Sequence, residues 1–218
     1  MKIQNILLKI YKSLYNYFGP LNWWPGDTPF EIMVGAILTQ NTSWSNVEKA
    51  INNLKKEYLL EPQNLYHINQ EELAQLIKPS GYYNIKAQRL KNFITFFVEE
   101  FEGSVKKMFS GDGEELRRKL LKVNGIGPET ADSILLYAGE KPFFVVDAYT
   151  KRIFSRHNLI SEDASYHQIQ EFFIRNLDSN VELYNEFHAQ IVMLGKTICT
   201  SKNPDCSKCP IAYLDGYS

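Results

Sequence analysis

Helical periodicity is the feature that most limits what this chain can become. Apolar residues recur every three or four positions in four clear sets: Ile3, Ile6, Leu7, Ile10 and Leu14; Val47, Ile51, Leu54 and Tyr58; Leu90, Phe93, Phe97 and Phe101; Leu183, Phe187, Ile191 and Leu194. That spacing gathers each set on one face of a 3.6-residue helix. No segment alternates apolar with polar residues as a half-buried strand would. The run Phe143-Phe144-Val145-Val146 has strand composition but stands alone, and a single strand has no ladder to join. Glycine and proline clusters cut the periodic stretches short, at Gly19-Pro20, Pro25-Gly26, Pro79-Ser80-Gly81, Gly111-Asp112-Gly113 and Gly125-x-Gly127-Pro128. The expected fold is all-α, with about ten helices in two lobes and no flexible connector.

Composition removes several function classes. With 44% hydrophobic and 22% charged residues, the chain is neither disordered nor a coiled-coil rod. No apolar run reaches the roughly 18 to 20 residues of a membrane helix, and Lys2, Lys9 and Lys12 interrupt Met1–Phe18. No membrane partner, anchor or secretory leader is expected, and the predicted location is the cytoplasm. The net charge of -1 hides local clusters: Arg117, Arg118, Lys119 and Lys122; Lys151, Arg152 and Arg156; Lys196, Lys202 and Lys208. Such runs are either solvated helix faces or phosphate-facing patches.

All three cysteines fall in one segment, Cys199-x6-Cys206-x2-Cys209. A disulfide framework spreads its cysteines along a chain and prefers even numbers. Metal or cluster ligation in a reducing compartment fits the crowding better.

The segment Leu116–Ala138 carries the strongest local signal. Leu116, Leu120, Leu121 and Val123 close one amphipathic helix, and Thr130, Ala131, Ile134, Leu135 and Ala138 continue another. Between them Gly125 and Gly127 permit positive φ, and Pro128 suits a first helical position. A glycine turn opening a helix aims backbone N–H groups outward and can grip a phosphate without reading sequence. It can also simply turn a corner.

The company this hairpin keeps is more specific. Val123-Asn-Gly-Ile-Gly-Pro-Glu-Thr-Ala131, followed by Val145-Val146-Asp147-Ala-Tyr-Thr-Lys-Arg152, resembles the helix-hairpin-helix and Gly/Pro-rich Asp signature of the endonuclease III superfamily of DNA glycosylases. Gly35-Ala-Ile-Leu-Thr-Gln40-Asn-Thr42 resembles its DNA-wedging loop, and Gly81-Tyr-Tyr-Asn84-Ile-Lys86-Ala87 its second DNA-facing turn. Gly195-Lys196-Thr-Ile-Cys199, with Cys206 and Cys209, resembles the start of its iron–sulfur loop. The pattern around Gly127–Leu135, Trp23-Trp24-Pro25 and Leu38-Thr-Gln-Asn-Thr42 is most similar to the 3-methyladenine DNA glycosylase branch.

The resemblance implies two helical lobes around a DNA-binding cleft, one at 26–139 with the hairpin at about 112–138, the other combining 1–25 with 140–218. It implies a monomer acting on double-stranded damaged DNA. Gln40, Asn41, Lys86, Gly125, Gly127, Thr130 and Lys196 are the expected DNA contacts, with a monovalent cation at the hairpin. Asp147 is the expected catalytic carboxylate, stabilising the sugar cation as the base departs; it can equally cap the helix after it. The position that carries a Schiff-base lysine in bifunctional members is Glu129, which cannot form one and otherwise reads as a helix-dipole carboxylate. Trp24, Trp44 and Glu129 are expected to wall the base pocket, since aromatic faces stack on a cationic alkylated purine; core packing is the other reading of the tryptophans. The implied activity is monofunctional removal of alkylated purines, with a mismatch or uracil glycosylase, or a non-catalytic DNA-binding homologue, as alternatives. The cysteine loop implies a [4Fe-4S] cluster on Cys199, Cys206 and Cys209, with Asp215 or a non-protein group at the fourth iron; a three-iron cluster, a zinc ion or an empty loop stay open.

Overall fold

The computed structural model describes residues 3–216, with side chains for 3–214. Its helices, in chain order, are α1 Ile3–Phe18, α2 Pro29–Leu38, α3 Trp44–Lys56, α4 Pro62–His67, α5 Gln70–Leu76, α6 Tyr83–Phe101, α7 Val105–Phe109, α8 Gly113–Leu120, α9 Pro128–Ser133, α10 Ala148–Arg156, α11 Tyr166–Ile174 and α12 Val181–Thr197. A π-helical turn, Ile134–Ala138, continues α9. No strand occurs among the described residues, as the periodicity predicts. No described helix is long and apolar enough to cross a membrane.

The chain divides into two units, Pro25–Lys141 and Met1–Trp24 with Pro142–Ser218. At the centre of the first is α2. Thr28 caps it by accepting the Glu31 N–H at 3.1 Å, and Pro29 opens it. Its residues from Met33 to Leu38 are buried on every side, the pattern of a helix enclosed by others. Glu31, itself buried, is neutralised by Lys55 at 2.8 Å. The 19-residue α6 lies against α2, α4 and α5, and Phe93 and Phe97 stack in its buried face.

The second unit is organised by aromatic packing between α10, α11 and α12. Phe144 stacks on Phe173 with centroids 3.9 Å apart, and Tyr184, Phe154 and Phe187 close edge-on around them. Such rings dominate core energetics through area and quadrupole geometry. Phe144, Val145 and Val146 form a buried extended segment. Two of its backbone polar groups are met by side chains of α11, in place of a neighbouring strand. The Gln170 amide donates to the Phe144 carbonyl at 2.8 Å, and the Val146 N–H donates to the Tyr166 hydroxyl oxygen at 3.4 Å. This segment delivers the chain to Asp147 at the start of α10.

Candidate active site

The hairpin between α8 and α9 is built by two local demands. Gly125 has φ +96, and a Cβ there would overlap the Arg89 side chain; only glycine satisfies both the left-handed backbone and the close approach. Gly127 caps α9 and Pro128 occupies its first turn. The two helices are braced by a buried ion pair. Arg117 Nε donates to Asp132 Oδ1 at 2.5 Å and Nη2 to Oδ2 at 2.9 Å, and the Asp132 side chain has no exposed surface. A planar fork on a carboxylate fixes orientation as well as charge.

A stripe on α6 holds the turns around this hairpin. Lys86, Arg89 and Asn92, spaced by three, lie on one face. Lys86 Nζ donates to the Leu38 carbonyl at the end of α2 (2.8 Å) and to the Ser80 carbonyl (2.6 Å). Arg89 donates to Gln40 Oε1, and Asn92 donates to the Asn124 carbonyl at 3.0 Å. Gln40 in turn donates through Nε2 to the Gly125 carbonyl (3.1 Å) and the Thr130 hydroxyl (2.9 Å). One helix therefore sets the relative positions of the 38–42 turn, the 80–83 turn and the hairpin.

Two of the residues expected at DNA, Lys86 and Thr130, are engaged in this network. Lys86 is only 1% exposed and its ammonium points inward to two carbonyls. Burial, with Arg89 as a second cause, brings its pKa down to about 8. Thr130 is also buried, its hydroxyl taken by Gln40. Asn41, Gly127 and Lys196 are exposed, and Asn41 sits at φ 54 in the turn after α2, a conformation asparagine tolerates. Gln40 is held by the hairpin in this state. Trp24 lies half-buried in one unit, Trp44 half-buried at the start of α3 in the other. Glu129 is exposed in the first turn of α9.

The basic clusters also read differently in three dimensions. Arg117 serves Asp132. Arg152 donates to the Gly195 and Cys199 carbonyls at 2.8 and 2.9 Å, and Arg156 to the Thr200 and Ser201 carbonyls at 2.8 Å each. These guanidinium groups terminate α12 and order the loop after it.

Asp147 is the N-cap of α10. Its Oδ1 accepts the Thr150 N–H at 2.7 Å and the Thr150 hydroxyl at 2.9 Å. Its Oδ2 lies 3.6 Å from His188 Nε2 on α12, and the two side chains are 11% and 6% exposed. Burial alone would push this carboxyl up. The His188 imidazole and the two Thr150 hydrogen bonds outweigh it and hold the carboxyl below the usual carboxylate range. The cap thus occupies one oxygen, and the other faces the imidazole. His188 escapes sequence reasoning: on α12 it is a lone histidine four residues after Tyr184 on an apolar face, and nothing local names its partner.

Cys199, Cys206 and Cys209 form no disulfide. All three line one cavity of about 110 Å³ with Arg156, His157 and Asp205, and Arg156 Nη1 donates to the Cys199 sulfur at 3.3 Å. Three thiols on one cavity suit a cluster in donor type. Among the described residues, however, no three His, Cys, Asp or Glu side chains are gathered as a ligand set. The Asp215 side chain lies outside the described residues. The fit is partial, and no chemistry is routed through a cluster.

Comparison with known proteins agrees with this geometry. The family model described as "HhH-GPD superfamily base excision DNA repair protein" matches residues 34–178, a span that contains both the hairpin and Asp147. A protein of Methanocaldococcus jannaschii described as a DNA repair glycosylase is 52% identical over 208 residues, 94% of each chain. Endonuclease III of Thermotoga maritima is 30% identical over 83% of this chain and 79% of its own. Among solved structures, the H. pylori 3-methyladenine DNA glycosylase bound to 1,N6-ethenoadenine is 32% identical, with a TM-score of 0.77 over 90% of this chain and 98% of that one. A hairpin braced from α6 and an aspartate capping the next long helix, within a matched span of this length, have one reading: the chain belongs to the HhH-GPD superfamily of base excision DNA repair proteins.

Proposed function

We propose that this protein is a monofunctional DNA glycosylase that removes alkylated purines by hydrolysis. The observation that carries the reading is Asp147, a nearly buried carboxylate held in its ionised form at the start of α10. Its Oδ1 is committed to Thr150, which leaves Oδ2 to face a developing positive charge. A base-excision enzyme must take the nucleotide out of the stack. The bond from C1′ to the base nitrogen then breaks, its electron pair leaves with the base, and positive charge remains on the sugar. Asp147 stabilises that charge by preorganised electrostatics, an effect worth several kcal/mol. A carboxylate held below its usual range is a weak proton acceptor, so Asp147 acts through its charge, and the water that adds to C1′ gives its proton to solvent.

An N-alkylated purine is already cationic and leaves as a neutral base, so no strong general acid is needed. The similarity to a 3-methyladenine glycosylase supports that substrate class, and either indole, Trp24 or Trp44, offers a face for stacking on a cation. Glu129 takes the hairpin position of the lyase lysine and has no amine for a Schiff base. The exposed hairpin residues and Lys196 supply phosphate affinity without sequence preference. The Cys199–Cys209 loop is where an iron–sulfur cluster would sit, on Cys199, Cys206 and Cys209 with Asp215 as fourth group, ordering the loop. Iron and sulfide analysis of anaerobically purified protein tests it, and an iron-free, colourless preparation overturns it.

The test of the function is a panel of duplexes carrying methylated purines, 1,N6-ethenoadenine, uracil or a mismatched thymine, scored for base release and for borohydride trapping on an abasic site. Release from the alkylated duplexes without trapping is expected. Release of uracil or thymine with alkylated purines untouched moves the assignment to the pyrimidine class. Efficient trapping overturns the monofunctional reading.

A further inference from the structure

The geometry points to His188 as the positioning residue of Asp147: its imidazole faces the one carboxylate oxygen that the helix cap leaves uncommitted, and so holds that oxygen toward the reacting sugar. The inference rests on the glycosylase reading above and adds a residue to it.

Three features of the structure carry the assignment. First, the two oxygens of Asp147 are treated differently. Oδ1 receives both Thr150 donors, and Oδ2 has His188 Nε2 at 3.6 Å. That separation is just outside hydrogen-bond range, of the kind that tightens when a substrate complex closes. Second, His188 is 5% exposed in the most buried stretch of α12, between Phe187 and Ala189. An imidazole in such surroundings is costly unless a polar partner compensates it, and a leucine would fill the same space at no such cost.

Third, the helices that carry the pair are braced against each other. Gly195 of α12 packs on Tyr149 of α10 so closely that a Cβ would overlap the ring. Arg152 of α10 spans to the Gly195 and Cys199 carbonyls. The helices that carry His188 and Asp147 are thus held in register, as a preorganised site requires. The carboxylate turns about its Cβ–Cγ bond as one plane, held at Oδ1 by the two Thr150 donors and faced at Oδ2 by the imidazole. With the imidazole in place, that rotation is restricted, and the charge stays where it is needed.

The experiment is single-turnover base release from a methylated duplex, with duplex affinity and thermal unfolding measured in parallel. His188→Leu keeps the volume and removes both nitrogens. It is expected to slow release 10- to 100-fold while duplex affinity changes less than about threefold, since positioning acts on the transition state and not on binding. His188→Gln, which presents an amide N–H near the Nε2 position, is expected to restore release to within about fivefold of the unaltered protein. In an Asp147→Asn background His188→Leu is expected to cost less than a further twofold, because coupled residues are non-additive. A merely structural histidine would give none of these patterns. Near-normal release by His188→Leu, while Asp147→Asn is inactive, overturns the assignment and leaves the glycosylase reading intact. A full further loss in the Asp147→Asn background also overturns it. Near-normal release by Asp147→Asn itself overturns the reading on which it rests. If His188→Leu does not fold, His188→Phe, which keeps a planar ring without nitrogens, is read against the same thresholds.

Discussion

Two aspartates, one in each unit, receive opposite treatment. Asp132 in α9 is fully buried, and both of its oxygens lie on the Arg117 fork. Asp147 at the head of α10 keeps a little exposure and gives one oxygen to a helix cap, while the other faces an imidazole. A guanidinium pair neutralises a carboxylate and leaves no oxygen for a substrate. A cap plus an imidazole keeps the charge, orients it and leaves one side open. Burial alone therefore does not separate the two; the number of oxygens already committed does.

The largest expected effect separates the two directly. Asp147→Asn should lower base release on the order of 10³-fold, about 4 kcal/mol of transition-state stabilisation. Asparagine is a competent N-cap, so thermal stability should move by no more than roughly 1 kcal/mol, and duplex binding should persist or tighten as an anion is removed. Near-normal release would erase the distinction between the two aspartates.

Asp132→Ala should do the reverse. It leaves a partly buried guanidinium without its carboxylate, for which roughly 2 kcal/mol of destabilisation is expected, read by urea unfolding. Base release per folded molecule at low temperature should stay within a few-fold of the unaltered protein. A specific loss of turnover in a fully folded variant would show that the hairpin brace shares in the chemistry.

Lys86 sharpens the comparison from the cationic side. Its ammonium pKa falls from 10.5 to about 8 on folding. Between those values the unfolded chain binds more protons than the folded one, so stability rises with pH across that window. The gain approaches roughly 3 kcal/mol at its upper end, at 1.36 kcal/mol per unit. Lys86→Met should flatten this rise, as unfolding measured at pH 8 and pH 10.5 would show. An unchanged slope would mean that the amine is not desolvated as its position between the Leu38 and Ser80 carbonyls requires.

The smallest effect concerns the acid side of Asp147. Its folded value lies below the ordinary 3.8, so the carboxylate contributes stability that is complete above the unfolded value and is lost as pH falls through the folded one. The stability difference between the unaltered protein and Asp147→Asn should hold steady from neutral pH to about 4 and shrink below it. A difference that grows under acid would mean that burial outweighs His188 and Thr150 at this carboxyl.

Much of the molecule was legible before any coordinates. The apolar repeats of α1, α3, α6 and α12 determine helices because a face that recurs every 3.6 residues can be buried only by coiling. Gly125 and Pro128 determine a tight turn through their own backbone limits, and Asp147 is marked as a cap by the helix that follows it. These are local properties, written within a few residues. Partners were not legible. Lys86 sits in a stretch that reads as a DNA-facing turn, yet its side chain runs inward to carbonyls at positions 38 and 80, and the basic run containing Arg117 ends on Asp132. His188 is 41 residues from Asp147 in the chain, and only the packing of α12 on α10 brings an imidazole to the open carboxylate oxygen. The sequence by itself determined which segments are helices and which residues can turn, cap or carry charge. Tertiary structure alone decided which charges are spent on the fold and which stay available, because that choice depends on distances between segments that no local pattern encodes.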